Sequence, residues 1–468
     1  MLRLIRLIAL VLALAALTAV LAARVHISDP AQNVGWPAIR LLGAAWLAFA
    51  VAVWLVRKVS ARSAVVLILL GCAAAGLASA SSHEHTSDDL YRYIWDGRVQ
   101  AAGIDPYAYV PAAPQLATLR DPFLWPDHVK CIPPDTANPD GGLVLPGCTL
   151  INRPAVHTIY PPVTEAYFLA VHELSPPGSR YKPVQLAAVA LALATTIALL
   201  LGLRALGRDL RLAALWAWCP LVAYESGNSA HVDVLAALFT VGGLVFLARA
   251  HRRDPSATKR TSTRQYVIGA MLLGLGVGAK LTPALALPAV LRRRPVLVAA
   301  TAAGAFVAVY LPHVIAVGMK VIGYIPGYIH EQGYSNGGGF LLLNLFLPAA
   351  WTSAAAVLIV AAAGLMVLRY ADPAQPWRGT LVLTGIALLV TTPPFPWYAI
   401  LLVALVALDG RIEWLALALA VYLSTIGNAS GIDGVTSARL SYGLAMLCIL
   451  TVSGLRAFHR GHLHRRLS

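Results

Sequence analysis

The stretch Pro183-Val184-Gln185-Leu186-Ala187-Ala188-Val189-Ala190-Leu191-Ala192-Leu193-Ala194-Thr195-Thr196-Ile197-Ala198-Leu199-Leu200-Leu201-Gly202-Leu203 contains no charged side chain and is closed by Arg204. About 20 apolar residues in a helix cross the ~30 Å hydrocarbon core of a bilayer, so this run reads as a membrane span. Similar runs fall at 3–23, 39–56, 63–81, 212–224, 231–250, 266–291, 295–317, 351–368, 379–394, 397–409, 413–427 and 437–455. Over 468 residues the chain is 58% apolar and only 12% charged, outside the range of soluble globular proteins. Length alone would suggest about three soluble domains, but the apolar runs absorb most of it. The expectation is an all-α polytopic membrane protein with about a dozen transmembrane helices.

Charge supplies the topology. The formal net charge is +15, yet Lys and Arg cluster in short loops between apolar runs, so they read as topology signals and nucleic-acid binding is set aside. With Arg3 and Arg6 on the cytoplasmic side, the groups Arg57-Lys58-Arg62, Arg204-Arg208-Arg211, Arg252 to Arg264, Arg292 to Arg294 and Arg456 to Arg466 fall on that side too. This holds only if 266–291 leaves and re-enters on one side, which predicts a broken or re-entrant hairpin around Lys280-Leu281-Thr282-Pro283. The first run could serve as a signal peptide, but the series of spans behind it favours a retained helix.

Three regions follow: residues 1–81 with the first three spans, a long external segment at 82–180, and the remaining bundle at 181–468 with short external loops at 225–230, 318–350, 392–397 and 428–436. The external segment holds eleven of the 21 acidic residues. Its Trp95, Tyr107, Tyr109, Phe123, Trp125, Tyr160 and Tyr167 argue for order, and a long ordered loop is usually functional. Cys131 and Cys148 lie there in a stretch rich in Pro, Asp and Gly, where a disulfide is the natural reading in an oxidising compartment. A metal pair is the alternative, with His128 lacking zinc-finger spacing. Cys72, Cys219 and Cys448 sit in apolar runs as small hydrophobes.

Residues Thr86 to Gly103 read as a helix with a Ser or Thr cap, an acidic first turn, and Gly103 and Pro106 at its end. Helical spacing puts Asp89, Arg92 and Asp96 on one face and Asp88 four residues from Arg92. Asp88 and Asp89 could simply complement the helix dipole. Alternatively, a carboxylate where the chain leaves the membrane could deprotonate an acceptor hydroxyl beside a lipid-borne donor. The donor's phosphate would need cations, and the exterior-facing candidates are Lys280, Arg92, Arg98, Arg153 and His231. Lys280 is costly in an apolar hairpin unless it meets an anion; snorkelling to the headgroups is the other reading. Glu225, His231 and Asp233 cluster between two apolar runs, as a site or as a helix-cap network. By ligand type they, or His83-Glu84-His85, could hold a metal, but no metal site is expected. The turn Tyr334-Ser335-Asn336-Gly337-Gly338-Gly339-Phe340 could close over a substrate or be a tight loop. Trp397 and Tyr398 could stack on a sugar or anchor an aromatic belt.

These segments together resemble the GT-C superfamily of integral-membrane glycosyltransferases, most closely the bacterial polyprenyl-phosphate-mannose-dependent alpha-mannosyltransferases. The resemblance rests on Ser87-Asp88-Asp89-Leu90-Tyr91-Arg92-Tyr93-Ile94-Trp95-Asp96-Gly97-Arg98-Val99 with Gly103-Ile104-Asp105-Pro106-Tyr107, the Cys219-Pro220-Leu221 to His231-Val232-Asp233 segment, Lys280 with Pro283, Asn336-Gly337, and Pro396-Trp397-Tyr398. It implies a GT-C-like bundle in the bacterial cytoplasmic membrane, with the site facing the periplasm or cell exterior. It further implies inverting transfer of a hexose, mannose in those relatives, from a polyprenyl-phosphate donor to a hydroxyl of a glycan or glycolipid. Asp89 is then the first choice for the base and Asp88 the second. Asp96, Glu225, Asp233, Asn336, Trp397 and Tyr398 are the expected substrate contacts. No cofactor is implied beyond the sugar donor as co-substrate, and the partners are membrane lipid, donor and acceptor. Two departures stand out: many relatives carry His before Pro-Trp-Tyr where this chain has Phe395, and their large external loop follows the first span rather than the third. A lipid-linked sugar transporter, amino-sugar transfer to lipid A, and oligosaccharyl transfer are the alternative readings.

Overall fold

The computed structural model describes residues 1–27, 36–84, 87–126, 131–132, 145–146, 148–251, 259–429 and 431–467. Among them, eight helices are long and apolar enough to cross a membrane, and three shorter apolar helices accompany them. The first three, α1 (Leu2–Val25), α2 (Trp36–Val56) and α3 (Ala61–Ser79), form one packed group. On α1 the buried Leu10, Leu14, Leu17 and Leu21 recur at three and four residues, a single inward stripe. Its opposite face leaves Val11 and Leu12 exposed, as a lipid-facing surface requires.

The external segment contributes α4 (Asp89–Ala101) and α5 (Pro162–Leu174). They pack through an aromatic core in which Tyr93 stacks on Phe168 with centroids 4.5 Å apart and Trp95 and Leu124 are sealed from solvent. A two-residue pairing of β1 (Cys131–Ile132) with β2 (Leu145–Pro146) lies in the same segment. Cys148 is disulfide-bonded, while the side chain of Cys131 lies outside the described residues.

The bundle then continues with α6 (Lys182–Ala205), which takes up the uncharged run 183–203. The next apolar run, 212–224, is not a continuous helix. It breaks into turns at Leu210–Ala213 and Ala214–Ala217 followed by α7 (Pro220–Gly227), because Pro220 has no amide hydrogen to continue the ladder. It still crosses beside α3: Arg211 Nη2 donates to the Val59 carbonyl at one end (2.8 Å). At the other end Gly227 lies so near α3 that a Cβ there would meet the Gly76 carbonyl at 2.4 Å.

Helix α8 (Asp233–His251) pairs with α9 (Lys259–Ala279). The hairpin expected at Lys280 to Pro283 is present, with a correction to its legs. Helix α9 starts at Lys259, seven residues before the apolar run, and continues unbroken for 21 residues to Ala279. Only the return leg is irregular: a 3-10 turn at Thr282–Ala286 and a short turn at Leu287–Val290. That leg brings Arg294 back to the start of α9, where it donates to Thr263 Oγ1 at 2.6 Å and stands over the Tyr266 ring.

The chain ends with α10 (Pro295–Val317), α11 (Ile325–Glu331), α12 (Ala349–Tyr370), α13 (Pro376–Thr391), α14 (Ile400–Asp409), α15 (Leu415–Ala429) and α16 (Gly434–Leu467). Every residue of α14 is buried, so a helix apolar on all sides forms the axis of the bundle. At its lower end Asp409 gathers basic loops from three places: Arg378 Nε at 2.9 Å, Arg411, and Arg208 Nη2 on the Asp409 carbonyl at 2.9 Å. The acidic helix α4 and Lys280 lie at the opposite end.

Candidate functional site

Helix α4 begins one residue later than its hydroxyls suggest. Ser87 Oγ accepts the Asp89 amide at 3.2 Å, and Asp88 occupies the cap position without a side-chain capping bond. Both carboxylates reach across the chain to Asn152, whose Nδ2 lies 2.9 Å from Asp88 Oδ1 and 2.6 Å from Asp89 Oδ1. The second oxygen of Asp89 faces His231 Nε2 at 3.8 Å.

Lys280 follows the last residue of α9, and its ammonium lies 2.6 Å from Asp233 Oδ2 and over the Tyr398 ring. Tyr398 in turn shares a 2.6 Å hydroxyl contact with Tyr328. Asp89 and Lys280 open onto one cavity of about 460 Å³, walled by Asp88, Arg92, Asn152, Arg153, His157, Tyr160, Tyr324, Tyr328, Trp397 and Tyr398 among others. It joins a carboxylate, an ammonium and a guanidinium in a wall otherwise rich in aromatic rings.

Arg92 does not pair with Asp88 or Asp89. Its Nε bonds both oxygens of Asp96, at 2.9 and 3.0 Å, and its Nη1 bonds the Val156 carbonyl at 3.2 Å. The remaining nitrogen, Nη2, is buried and has no hydrogen-bond partner among the described residues. The guanidinium is thus anchored on one edge by Asp96 and left unsatisfied on the other, beside the cavity wall.

Residues 158–393 match the model of glycosyltransferase family 87. The chain belongs to glycosyltransferase family 87. This is a GT-C-type family, and the chain is an all-α multi-pass membrane protein. No curated protein matches it. Among solved structures it is similar to two of the Archaeoglobus fulgidus oligosaccharyltransferase. One, in complex with Zn and sulfate, is 14% identical with a TM-score of 0.39 over 80% of this chain and 53% of that one. The other, in the apo form, is 14% identical with a TM-score of 0.34 over 87% and 51%. The chain thus spans about half the length of those structures. The family match begins beyond α4 and contains Lys280, Asp233, His231 and Glu225 but not Asp89.

Within this family 87 chain, several expected contacts lie elsewhere. Asp96 is 2% exposed and sealed behind Arg92, so it orients the guanidinium and cannot reach a substrate. Arg98 lines a separate cleft beyond α4, bonding Asp121 Oδ2 at 2.6 Å and the Leu119 carbonyl at 3.0 Å. Asn336 is spent on its own turn, accepting the Gly338 amide at 3.0 Å. Trp397 reaches the cavity, but His231 and Phe395 cover its rings at 4.0 and 4.5 Å, leaving no face for a sugar. Arg153, which adopts φ +45°, is on the wall and is bridged to Glu331, Nε to Oε2 at 3.0 Å. Glu225 and His231 are buried behind Asp89 instead of lining the cavity. Of the two ligand sets that could hold a metal, His85 lies outside the described residues, and Asp233 is turned away from His231 onto Lys280.

Asn152 and His157, which no sequence signal marks, also line the cavity. His157 Nδ1 is buried without a hydrogen-bond partner among the described residues. Burial, then the Lys320 and Arg92 cations, hold this imidazole below its ordinary value, which keeps it neutral. Neither residue belongs to a spaced motif; each is a single polar side chain that the loop at 149–157 folds back over the start of α4.

Proposed function

We propose that this glycosyltransferase moves a hexose, mannose by its resemblance, from a polyprenyl-phosphate donor to a hydroxyl of a glycan or glycolipid, with inversion, at the outer face of the bacterial cytoplasmic membrane. The supporting observation is that Asp89 and Lys280 open onto the same cavity. In this reading Asp89 takes the acceptor's proton as its oxygen attacks the anomeric carbon. The bond to the phosphate oxygen breaks, and the leaving phosphate is held by Lys280, Arg92 Nη2 and Arg153. Asp233 occupies one of the three N–H donors of Lys280 and leaves two for the phosphate. Asn152 holds Asp89 in register, and the cavity's aromatic walls suit the sugar and first isoprenes.

The test is transfer by the purified chain from a panel of polyprenyl-phosphate sugars. Mannose transfer is expected, falling by about 10²–10⁴-fold for Asp89→Asn. Retained transfer by that variant removes Asp89 as the base. Transport of a lipid-linked sugar without transfer would favour the transporter reading. The phosphate is balanced here by side-chain cations, so transfer should survive saturating EDTA; its loss would overturn the proposed metal independence.

A further inference from the structure

Behind Asp89 lies a buried polar chain that phosphate binding does not use. His231 is 1% exposed and Glu225 is 0% exposed. Nδ1 of His231 stands 2.7 Å from Glu225 Oε2, and Nε2 stands 3.8 Å from Asp89 Oδ2. Both ring nitrogens are buried and neither makes an aligned hydrogen bond with any described residue. Tyr422, from α15, donates its hydroxyl to the other oxygen of Glu225. The imidazole plane is clamped by Trp397 at 4.0 Å.

The backbone is arranged to keep it there. Ala230 adopts φ +56°, a conformation that a non-glycine residue holds only where its surroundings enforce it. The turn lets the His231 amide bond the Glu225 carbonyl at 2.8 Å, directing the ring back over Glu225. The charged or titratable groups that face the ring are Asp89 from α4 and Glu225 from α7, with Tyr422 beyond Glu225. Asp233, two residues on, is engaged by Lys280.

We propose that His231 is a positioning and proton-accepting partner of Asp89, with Glu225 and Tyr422 fixing its tautomer, and that it is not a ligand of the donor phosphate. This rests on Asp89 acting as the base. Nδ1 is the ring nitrogen within 2.7 Å of a carboxylate oxygen, so a small rotation of the ring sets its proton on Glu225 and leaves the lone pair of Nε2 toward Asp89. During transfer the acceptor O–H bond breaks, the new glycosidic C–O bond forms and the bond to phosphate breaks. The proton passes to Asp89 Oδ2 and, after sub-ångström closure of the gap, to His231 Nε2. The resulting imidazolium is balanced by Glu225, and Asp89 is a carboxylate again before the next acceptor arrives. When product leaves, the proton returns through Asp89 to the open cavity.

The coupling can be tested without any substrate, by following deuterium exchange at the His231 ring carbon against pH in the full-length protein by mass spectrometry. Removing a facing carboxylate makes the imidazolium less favourable. Asp89→Asn and Glu225→Gln should therefore each lower the His231 titration midpoint by about one unit, a tenfold loss of proton affinity. A midpoint that Asp89→Asn leaves in place overturns the proposal. In the transfer assay, His231→Gln should lower kcat by about 10–100-fold, leave the donor KM unchanged and move the acid limb of the pH profile to lower pH. A raised donor KM with an unmoved acid limb would make His231 a phosphate ligand, and a lowered kcat with an unmoved limb would make it only structural; either result overturns the proposal. If the unchanged protein transfers no sugar, the functional reading fails while the exchange measurement still decides the coupling.

Discussion

The Lys280 ammonium lies 2.6 Å from Oδ2 of Asp233, a carboxylate 4% exposed at the edge of the bundle. Each charge makes the other tolerable there, because an unpaired ion out of water costs several kcal/mol. Lys280→Met should lower kcat/KM for the donor by about 10²–10³-fold and, by stranding Asp233, destabilise the protein by about 3–5 kcal/mol. Adding Asp233→Leu should restore thermal stability without restoring activity. A double variant that regained transfer would show that the cation serves only the fold.

Asn152 bonds Asp88 and Asp89 with a single Nδ2, an arrangement that holds two carboxylates on one donor. Asn152→Ala should lower kcat by about tenfold, the value of one lost hydrogen bond to a charged group, with the melting temperature almost unchanged. Asn152→Asp should be worse, since a third carboxylate would repel the other two. Initial rates at saturating donor check both; equal activity of the alanine variant would show that Asp89 is oriented by something else.

The membrane-spanning helices were legible because about 20 apolar residues in a row are a strong signal. So was the pairing of α4 with Lys280 at one end of the bundle. The start of α9 was not: Lys259 to Arg264 is polar, and a helix takes up such residues when its neighbour α8 supplies the packing. Arg92 was placed with Asp88 by spacing, but spacing offered Asp96 equally, and burial decided between them. Trp397 looked free for a sugar because His231, far away in sequence, supplies one of the rings that cover it.

Thiol chemistry tests the external loop. Cys148 is disulfide-bonded, whereas Cys72, Cys219 and Cys448 are free. Labelling of the denatured, unreduced protein should therefore find three thiols, and reduction should bring the number to the five in the sequence. Five thiols before reduction would mean that the bond does not form in the cell.

Glu165 is fully buried, taking a hydrogen bond from Thr158 at 2.7 Å on one oxygen and from Gln100 at 2.9 Å on the other. It shares its pocket with Asp96, and Arg92 neutralises only one carboxylate. Burial, then the charge of Asp96, hold the Glu165 carboxyl well above the ordinary range. The folded protein thus keeps a proton that the unfolded chain releases near pH 4.3, the ordinary glutamate value of about 4.3. Stability from this group is complete below that value and declines as pH rises toward the folded pKa, by about 1.4 kcal/mol per unit. Glu165→Gln keeps the neutral shape without the proton. Its melting temperature should match the unchanged protein at acid pH and exceed it increasingly from about pH 5 upward. Parallel melting curves across that range would show that Glu165 is ionised in the fold, and Arg92 would then be balancing two charges instead of keeping one edge for a phosphate.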